Sequence, residues 1–505
     1  MIPAARLLSD LLHGAGVRPL EPLAADPEIT GVSLDSRVVS PGNLFYALRG
    51  FLTDGAVFVP DAVGRGAAAV VSSSPRPPSL HEGIAWVRVE DARRAAGLLA
   101  REWFGRPDEA VALVGITGTN GKTTVTYLVE AMARAGGLEP GRIGTIGCAY
   151  GGNERPSPRT TPEAPELFAL LAEMRDAGVD LVAIEVSSHA LALGRVEGAR
   201  YAVAAFLNLG QDHLDFHGDP ESYFEAKARM FDGLGPDRTA VLPADDPRGV
   251  ALASRTRAGV ITFGRSPGAT VRLRDEACDL LGSSAVLEIG GSPLKIRTRL
   301  LGRFNLDNVA AAAACAVAAG LPARAAAEGA GAVAQIPGRM ELVSAGQPFA
   351  VLVDFAHTEQ ALSRLLDGVR GLVKGKTLVV FGCGGERDRV KRPAMGRAAA
   401  QRADLVFLTC DNPRGEDPLA ILREVESGVA SVPGGAERCC VIPSRTEAVA
   451  AAVSLARQGD AVVIAGKGHE TTQTFGDHVE HLDDREVARK ALAAFGWGGG
   501  AHAGA

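Results

Sequence analysis

A glycine-rich segment at residues 118–124, GTNGKTT, contains the residue types that bind the phosphates of a nucleotide. It follows the apolar run VALVGI and precedes a stretch in which Val125, Leu128 and Met132 recur at helical spacing. In such a strand–turn–helix, backbone amides attract phosphate, a lysine reaches the β and γ oxygens, and a threonine hydroxyl can bind Mg²⁺. The simpler alternative is a turn whose threonine only caps the helix. We predict a nucleotide site made of Gly118, Thr119, Asn120, Gly121, Lys122, Thr123 and Thr124.

Two polar residues that follow later apolar runs suit a metal ion beside the phosphates. Glu185 ends the run in AIEVSSH, where a buried acid is costly without a partner. His213 follows the next run, in NLGQDHLDFHGD, and its alternative is a purely structural role. The spacing predicts Thr123, Glu185 and His213 as Mg²⁺ ligands, whereas the neighbouring Asp212, Asp215 and His217 are expected to be solvated or to cap a turn.

Composition and charge exclude several classes of protein. A chain of 505 residues exceeds what one hydrophobic core usually serves, and its net charge of −6 argues against a nucleic-acid-binding surface. Seven cysteines without a C-x-x-C pair argue against a disulfide framework or a structural zinc site. Ser9 and Asp10 interrupt the N-terminal apolar run, and the longest later run is shorter than the about 20 residues of a membrane span. We expect a monomeric, cytoplasmic protein with no nucleic-acid partner and no membrane insertion.

Apolar runs that alternate with amphipathic stretches predict an α/β fold with parallel sheets. VALVGI, DLVAIEVSS and YAVAAFLNLG are candidate strands of a doubly wound sheet around the phosphate loop. The alternation restarts after IPGRMELV, with FAVLVDFAH, KTLVVFGCGG, ADLVFLTCDNPR and DAVVIAGKG. We predict a smaller N-terminal α/β domain (1–106), a central P-loop domain (107–337), a Rossmann-like C-terminal domain (338–497) and a flexible tail (498–505).

Motifs along nearly the whole chain, taken together and in order, resemble those of the Mur ligases, the ATP-dependent amide-forming enzymes of peptidoglycan assembly. The family's phosphate loop also has the form GTNGKT, which accounts for Ile116 where a generic phosphate loop has glycine. The motifs are DSR (35–37), GITGTNGKTT (115–124), TTPE (160–163), EVSSHAL (185–191), NLGQDHLDFH (208–217), YFEAKARMF (223–231), LGRFNLDN (301–308), PGRME (337–341), VDFAHT (353–358), FGCGGERD (381–388), DNPR (411–414) and GKGHE (466–470).

The resemblance implies a division of labour among the three domains and a reaction. The N-terminal domain is expected to bind a UDP-linked substrate, the central domain ATP with Mg²⁺, and the C-terminal domain the incoming amino acid. Catalytic roles fall on Lys122, His213 and Lys227. From its sequence alone Lys227 would be a surface helix lysine, but the resemblance implies N6-carboxylysine, a carbamate that binds a second metal ion.

The resemblance also assigns the remaining binding residues. For ATP it adds Asn305, Arg339 and Asp354, with His357 near the base; for the UDP substrate it implies Ser36, Thr160, Thr161, Ser187 and Arg195. Three places depart from the family: Leu193 stands where some members have glutamine, Phe51 and Leu52 where others have polar uridine contacts, and Glu359 and Gln360 where Pro-Asp is usual.

The donor amino acid follows from the last motifs. Among Mur ligases the chain most resembles the members that extend UDP-MurNAc-L-Ala-D-Glu, and the donor residues implied are Arg387, Asp411, Asn412, Arg414, Gly466 and Glu470. Arg414 suits a second carboxylate, which meso-2,6-diaminopimelate has and lysine and ornithine lack. We therefore expect diaminopimelate, with lysine or ornithine as alternatives. A folylpolyglutamate-synthase-like ligase, a D-Ala-D-Ala-adding ligase and a P-loop switch or transporter ATPase remain more distant alternatives.

Overall fold

A computed structural model describes residues 3–50 and 53–497 of the chain. The predicted tail at 498–505 and the departure at Phe51 and Leu52 lie outside these residues. None of the helices in the described part is long and apolar enough to cross a membrane. The fold is α/β with one main sheet in each of the three predicted ranges, as expected, while the domain boundaries themselves stay a prediction.

The N-terminal part is a small parallel sheet with the order β3-β4-β5-β6 and helices packed on it. Its last helix, α3, is capped by the Asp91 carboxylate, which accepts from the amides of Arg93 and Arg94. The elements are β1 (Arg6–Leu7), α1 (Leu8–Ala15), β2 (Glu28–Ile29), β3 (Gly31–Ser33), β4 (Asn43–Tyr46), α2 (Val59–Gly64), β5 (Ala69–Ser72), β6 (Ala85–Arg88) and α3 (Ala92–Trp103).

The central part is built on a long mixed sheet whose core is parallel. The elements are β7 (Ala112–Thr117), α4 (Lys122–Ala135), β8 (Pro140–Ile143), β9 (Cys148–Tyr150), β10 (Asn153–Arg155), α5 (Ala164–Asp176), β11 (Leu181–Glu185), α6 (Ser188–Ala192), β12 (Val203–Phe206), α7 (Leu214–His217), α8 (Pro220–Asp232), β13 (Thr239–Pro243), α9 (Pro247–Arg255), β14 (Gly259–Gly264), β15 (Val271–Asp279), β16 (Gly282–Ile289), β17 (Ser292–Thr298), α10 (Arg303–Ala318) and α11 (Ala323–Ala332).

The parallel core of this sheet has the order β8-β11-β7-β12-β13-β14, so the phosphate-loop strand β7 lies between β11 and β12. The predicted doubly wound sheet is therefore present. Beyond this core β15 still pairs in parallel with β14, and antiparallel strands complete the sheet at both edges, β9 and β10 on one side and β16 and β17 on the other. Apolar residues of β7, β11 and β12 and of α4 and α10 form its core, which fixes the loop after each strand.

The C-terminal part is a second sheet with the order β18-β19-β23-β20-β21-β22, parallel except for β18. The elements are β18 (Glu341–Leu342), β19 (Ala350–Asp354), α12 (Glu359–Arg370), β20 (Thr377–Phe381), α13 (Lys391–Arg402), β21 (Leu405–Leu408), α14 (Pro418–Ala430), β22 (Cys439–Val441), α15 (Arg445–Leu455), β23 (Ala461–Ala465), β24 (Thr472–Phe475), β25 (His478–His481) and α16 (Asp484–Ala494). In open parallel sheets ligands bind beyond the carboxyl ends of the strands, and here those ends carry the motifs VDFAHT, FGCGGERD, DNPR and GKGHE.

Candidate active site

A cleft of about 660 Å³ lies where the central and C-terminal domains face each other. It brings together residues from the phosphate loop, from the ends of β11 and β12, and from the loops after β19, β20, β21 and β23. The predicted site residues that line it are Thr119, Asn120, Gly121, Lys122, Thr123, Thr124, Thr160, Glu185, Ser187, His213, Arg339, Asp354, Arg387, Asp411, Asn412, Arg414, Gly466 and Glu470.

The phosphate loop has the geometry that the motif requires. Gly118 and Gly121 have φ angles of 150° and 92°, which favour glycine, and α4 begins at Lys122. The Lys122 Nζ donates to the carbonyls of Gly118 and Thr119 at 2.8 and 2.9 Å. Asn208, after β12, accepts from the Asn120 amide and donates to its carbonyl, both at 3.0 Å. The loop is thus held by its own lysine and by a side chain from the neighbouring strand.

Glu185 provides a buried carboxylate next to this loop. Its oxygens accept from the Thr123 hydroxyl at 3.1 Å and from the amide and hydroxyl of Thr145 at 2.8 and 3.1 Å. Mg²⁺ in phosphate sites commonly takes one or two carboxylates and completes its shell with phosphate oxygens and water. Glu185 and Thr123 fit that requirement. Within the described residues no group of three or more His, Cys, Asp or Glu forms a metal cluster, so a cage made only of such side chains is absent there.

His213 lies on the rim of the same cleft in a left-handed backbone conformation, with φ 54°. Asp212 fixes it, because its carboxylate accepts from the His213 amide at 2.9 Å and lies 3.5 Å from Nε2. Burial lowers the pKa of His213 to about 4. The imidazole is therefore neutral near pH 7 and has a nitrogen lone pair to offer. Asp212 and Asp215 also line the cleft, and Asp215 is exposed, as the expectation of a solvated residue requires.

Lys227 is buried beneath the phosphate loop, not on a helix surface as its sequence alone indicated. Its Nζ donates to the Gly118 carbonyl at 3.2 Å and lies 4.4 Å from the centre of the Tyr223 ring. Among the described residues no carboxylate forms an ion pair with it. Burial lowers the pKa of Lys227 well below its usual range, and the neighbouring Lys122 lowers it further. The side chain is therefore a candidate neutral amine.

A larger cavity of about 1070 Å³ adjoins the phosphate loop and is lined by Asn305, Arg339 and Asp354. Arg339 crosses between domains: its Nη2 donates to the Thr123 hydroxyl at 3.0 Å. The Asp354 carboxylate accepts from the amides of Met340 and Ala356 at 2.7 and 2.8 Å, while burial raises its pKa. The predicted nucleotide residues therefore line one continuous region beside the loop.

The predicted donor residues lie at the ends of β20, β21 and β23. The Arg414 Nη1 donates to the Gly385 carbonyl at 2.6 Å, and the Arg414 amide donates to the Thr474 carbonyl at 3.0 Å. The Asn412 Nδ2 donates to Glu470 at 3.0 Å. Lys467, fully buried, donates to Glu470 and to Asn412 at 3.2 and 3.3 Å. The lining at this end of the cleft includes the cations Arg387 and Arg414 and the carboxylates Asp411 and Glu470, which suits a zwitterionic amino acid.

The residues predicted for the UDP substrate are spread over two domains. The Thr160 hydroxyl lies 3.0 Å from that of Thr145, and the buried Thr161 hydroxyl donates to the Glu185 carbonyl at 2.8 Å. Ser187 caps α6 through its hydroxyl. The Arg195 Nε lies 2.9 Å from Glu163. Ser36 is buried in the N-terminal domain and lines neither of the two cavities described above.

One departure from the family pattern, at Gln360, now has a structural account, and the predicted residue His357 has a location. Gln360, in α12, accepts from the Gln211 amide at 3.2 Å and so links the C-terminal domain to the loop after β12. His357 lines the smaller cleft, and its Nδ1 lies 2.9 Å from the Phe355 carbonyl. It does not line the larger cavity, and its role near the base stays a prediction.

Several residues in the site were not predicted from the sequence, namely Thr145, Asn208, Tyr223, Lys391 and Lys467. Tyr223 had a usable signal, since it precedes Lys227 by one helical turn, and its hydroxyl lies 3.1 Å from that of Thr119. Asn208 also had one, because it begins the motif NLGQDHLDFH after β12, whereas Thr145 belongs to none of the motifs. Lys391 lines the cleft and donates to the His357 carbonyl at 3.0 Å.

Family descriptions match most of the chain. "Mur ligase family, catalytic domain" matches residues 28–104, "Mur ligase middle domain" matches 116–316, and "Mur ligase, glutamate ligase domain" matches 338–468.

Curated relatives and solved structures match over nearly the full length. The UDP-N-acetylmuramoyl-L-alanyl-D-glutamate--2,6-diaminopimelate ligase of Solibacter usitatus is 44% identical and covers 95% of this chain and 97% of its own length. The enzyme of the same name from Geobacter metallireducens is 43% identical, in an alignment that covers 92% of this chain and 94% of that enzyme. A solved structure with that name is 32% identical and superposes with a TM-score of 0.67. The match covers 93% of this chain and 95% of the solved one.

Proposed function

The chain belongs to the Mur ligase family, and we propose that it joins meso-2,6-diaminopimelate to UDP-N-acetylmuramoyl-L-alanyl-D-glutamate at the expense of ATP. The observation that carries the proposal is the similarity, over more than nine-tenths of the chain, to ligases with this specificity. The cleft supports it, because one cavity contains both the phosphate loop and the DNPR arginine.

The first step activates a carboxylate that does not react with an amine in water. A substrate carboxylate oxygen attacks the γ-phosphorus of ATP, the bond to the bridging oxygen breaks, and an acyl phosphate and ADP result. Such a transfer depends chiefly on positioning and on neutralising charge. We propose that Lys122 reaches the β and γ oxygens. The backbone amides at the start of α4 add the positive end of the helix dipole. Arg339 approaches the same point from the C-terminal domain.

The second step forms the amide bond. The donor amine attacks the acyl carbon, the tetrahedral intermediate collapses, phosphate leaves, and the amine loses a proton. The roles proposed for the C-terminal residues are to hold the donor carboxylate with Arg387, to hold its ammonium group with Glu470, and to position the far end through Asp411, Asn412 and Gly466. Because Arg414 has a guanidinium fork near that end, it fits the second carboxylate of diaminopimelate. Lysine and ornithine would leave it unpaired.

Thr123, Glu185 and His213 are the residues we propose for Mg²⁺, which when bound supplies charge neutralisation at the phosphate oxygens. Lys227 is proposed to be carboxylated. Its neutral amine would add to CO₂ and lose a proton, which turns the buried amine into an anionic carbamate beside the loop. Replacement of Lys227 by alanine should abolish ligation, and short carboxylates should restore part of it; full activity of the variant without them would sink this assignment.

The UDP-linked substrate is proposed to span the N-terminal and central domains, with Ser36 at one end and Thr160, Thr161, Ser187 and Arg195 at the other. Arg195 is partly buried next to Glu163, and burial lowers its pKa. A substrate carboxylate or phosphate would therefore gain a charge-assisted bond at this arginine. We place the reaction in the cytoplasm, where ATP is available, and expect a monomer.

A side-by-side ligation assay tests the proposal. ADP release is measured with UDP-N-acetylmuramoyl-L-alanyl-D-glutamate and either diaminopimelate, lysine or ornithine, and each substrate is omitted in turn. We expect release only when all three substrates are present, with kcat/KM for diaminopimelate about 10- to 100-fold above the other two donors, since a charge-assisted hydrogen bond to Arg414 contributes about 1.5–3 kcal/mol. Equal use of lysine would overturn the donor, and release without any amino acid would overturn the ligase itself.

A further inference from the structure

Arg392 is completely buried in the first turn of α13, although it lines neither cavity. Arginine is rarely buried to this degree unless its charge is paired. Its guanidinium contacts Glu416, which lies just before α14, and Glu424, which lies within α14. A buried charge with such specific partners restricts the conformation of the segments that contain Glu416 and Glu424.

The contacts of Arg392 join the two loops that carry the proposed donor residues. Its Nη2 donates to the Gly384 carbonyl at 3.2 Å and to Glu416 Oε1 at 2.8 Å. Its Nη1 donates to Glu416 Oε2 and to Glu424 Oε2, both at 2.9 Å. Gly384 belongs to the loop after β20, which contains Arg387, and Glu416 belongs to the loop after β21, which contains Arg414. One guanidinium therefore holds both loops.

Further bonds between these loops depend on this arrangement. Glu416 also accepts from the Glu386 amide, and the Gly385 amide donates to the Asn412 carbonyl at 2.9 Å. The Arg414 guanidinium in turn donates to the Gly385 carbonyl. Any shift of the first loop would therefore move Arg387 and also the acceptor that orients Arg414.

The backbone of both loops needs external support. Glu386 and Arg414 have φ angles of 54° and 52°, a left-handed conformation that residues other than glycine rarely adopt. Such conformations persist when surrounding contacts impose them. The bond from the Glu386 amide to Glu416 and the bond from the Arg414 side chain to the Gly385 carbonyl are contacts of this kind. Glu416, the partner of Arg392, makes the first, and the second is made next to the Gly384 carbonyl that Arg392 contacts.

We propose that Arg392, paired with Glu416, is a positioning residue for the incoming amino acid, setting the spacing between Arg387 and Arg414 that matches the two carboxylates of a diamino diacid. This rests on the proposed function. Lysine in place of Arg392 would keep the charge but lose the planar fork, which makes the bidentate pair with Glu416 and reaches Gly384 as well. Arg392 thus acts through the donor residues and touches no substrate.

The test compares Arg392→Lys and Glu416→Gln with Arg389→Ala. Arg389 is exposed, lies in the same loop three residues earlier and pairs through its side chain with Glu424, so its variant removes a neighbouring charge but keeps the contacts of Arg392 with Glu416 and Gly384. KM and kcat are measured separately for diaminopimelate, ATP and the UDP substrate. We expect KM for diaminopimelate to rise about 10-fold or more in Arg392→Lys and Glu416→Gln, KM for the other two substrates to change less than twofold, and Arg389→Ala to match the wild type.

A role limited to stability would give a different result. It would lower the melting temperature and the fraction of active enzyme, hence the apparent kcat, while KM for diaminopimelate stayed unchanged. That result, in either folded variant, overturns the proposal. If one variant fails to fold, the other carries the same test, because the two remove the same pair from opposite sides. Absence of diaminopimelate-dependent ADP release by the wild type would instead refute the proposed function.

Discussion

At the scale of single residues, the selectivity of the donor site depends on Arg414. Its guanidinium is held by the Gly385 carbonyl, a neutral acceptor that a carboxylate can outcompete. We expect Arg414→Ala to lower kcat/KM for diaminopimelate about 10- to 100-fold, because the variant loses a charge-assisted hydrogen bond that contributes roughly 1.5–3 kcal/mol. Use of lysine should change less than threefold, because lysine has no second carboxylate. Parallel kinetics with both donors check this, and equal losses would contradict the assignment.

Lys227 gives a prediction about stability and pH. Burial and Lys122 lower its pKa in the folded chain, whereas the unfolded chain keeps a pKa of about 10.4. Between these two values the unfolded chain binds more protons, so the free energy of unfolding rises with pH in this window and is reduced below it. In CO₂-free buffer we expect Lys227→Met to be more stable than the wild type near pH 7, and the difference to shrink as the pH approaches 10.

Denaturant unfolding at several pH values measures this difference. Arg229→Ala is the matched control, since Arg229 lies on the same helix but is exposed, and its variant should follow the wild-type pH dependence. A wild type that is more stable than Lys227→Met near neutral pH in the absence of CO₂ would show that the buried amine is not destabilising.

At the scale of elements, the turn from β7 to α4 depends on Gly121. Its φ of 92° favours glycine, and a Cβ there would lie 2.4 Å from the Asn308 Oδ1 of α10. Gly121→Ala should therefore lower the free energy of unfolding by roughly 1–2 kcal/mol through backbone strain. It should also weaken ATP binding about 10-fold, because the displaced Asn308 donates to Asn305 in the nucleotide cavity.

Gly137→Ala separates strain from binding. Gly137, just after the end of α4, has φ 84°, but a Cβ there would meet nothing within 4 Å. We expect a similar loss of stability in thermal unfolding with unchanged ATP affinity in calorimetry. Equal affinity losses in both variants would mean that the close approach of α4 and α10 does not shape the ATP site.

Elements and site residues differed in how far the sequence could predict them. The buried parallel strands β7, β11, β12, β19 and β20 were all found, because runs of apolar residues bounded by glycine or polar turns mark such strands. The strands β15 to β17 were not predicted, since they contain none of the motifs and no continuous apolar run. Residues that follow a strand were predictable. Contacts such as Arg339 to Thr123, or Gln360 to Gln211, join distant segments and have no local pattern.

At the scale of the whole molecule, Arg93 links the N-terminal domain to the region proposed for the UDP substrate. From α3 its guanidinium donates to the Leu193 carbonyl at 3.2 Å, to Glu163 at 3.3 Å and to the Arg49 carbonyl at 3.0 Å. Glu163 in turn contacts Arg195. The domain that is expected to bind the uridine end is thereby connected through Arg93 and Glu163 to Arg195, the residue proposed for the peptide end.

Removal of Arg93 should uncouple these two ends. Since a substrate that spans two domains gains affinity when they are already held in place, we expect Arg93→Ala to raise KM for the UDP substrate about 10-fold. KM for diaminopimelate should stay within twofold, because its site is in the third domain. Arg94→Ala, an exposed neighbour on α3, is the control and should behave as the wild type. Steady-state kinetics distinguish the outcomes: a similar rise in KM for all three substrates would indicate general loosening of the fold, and no rise would mean that the domains are oriented by their other contacts.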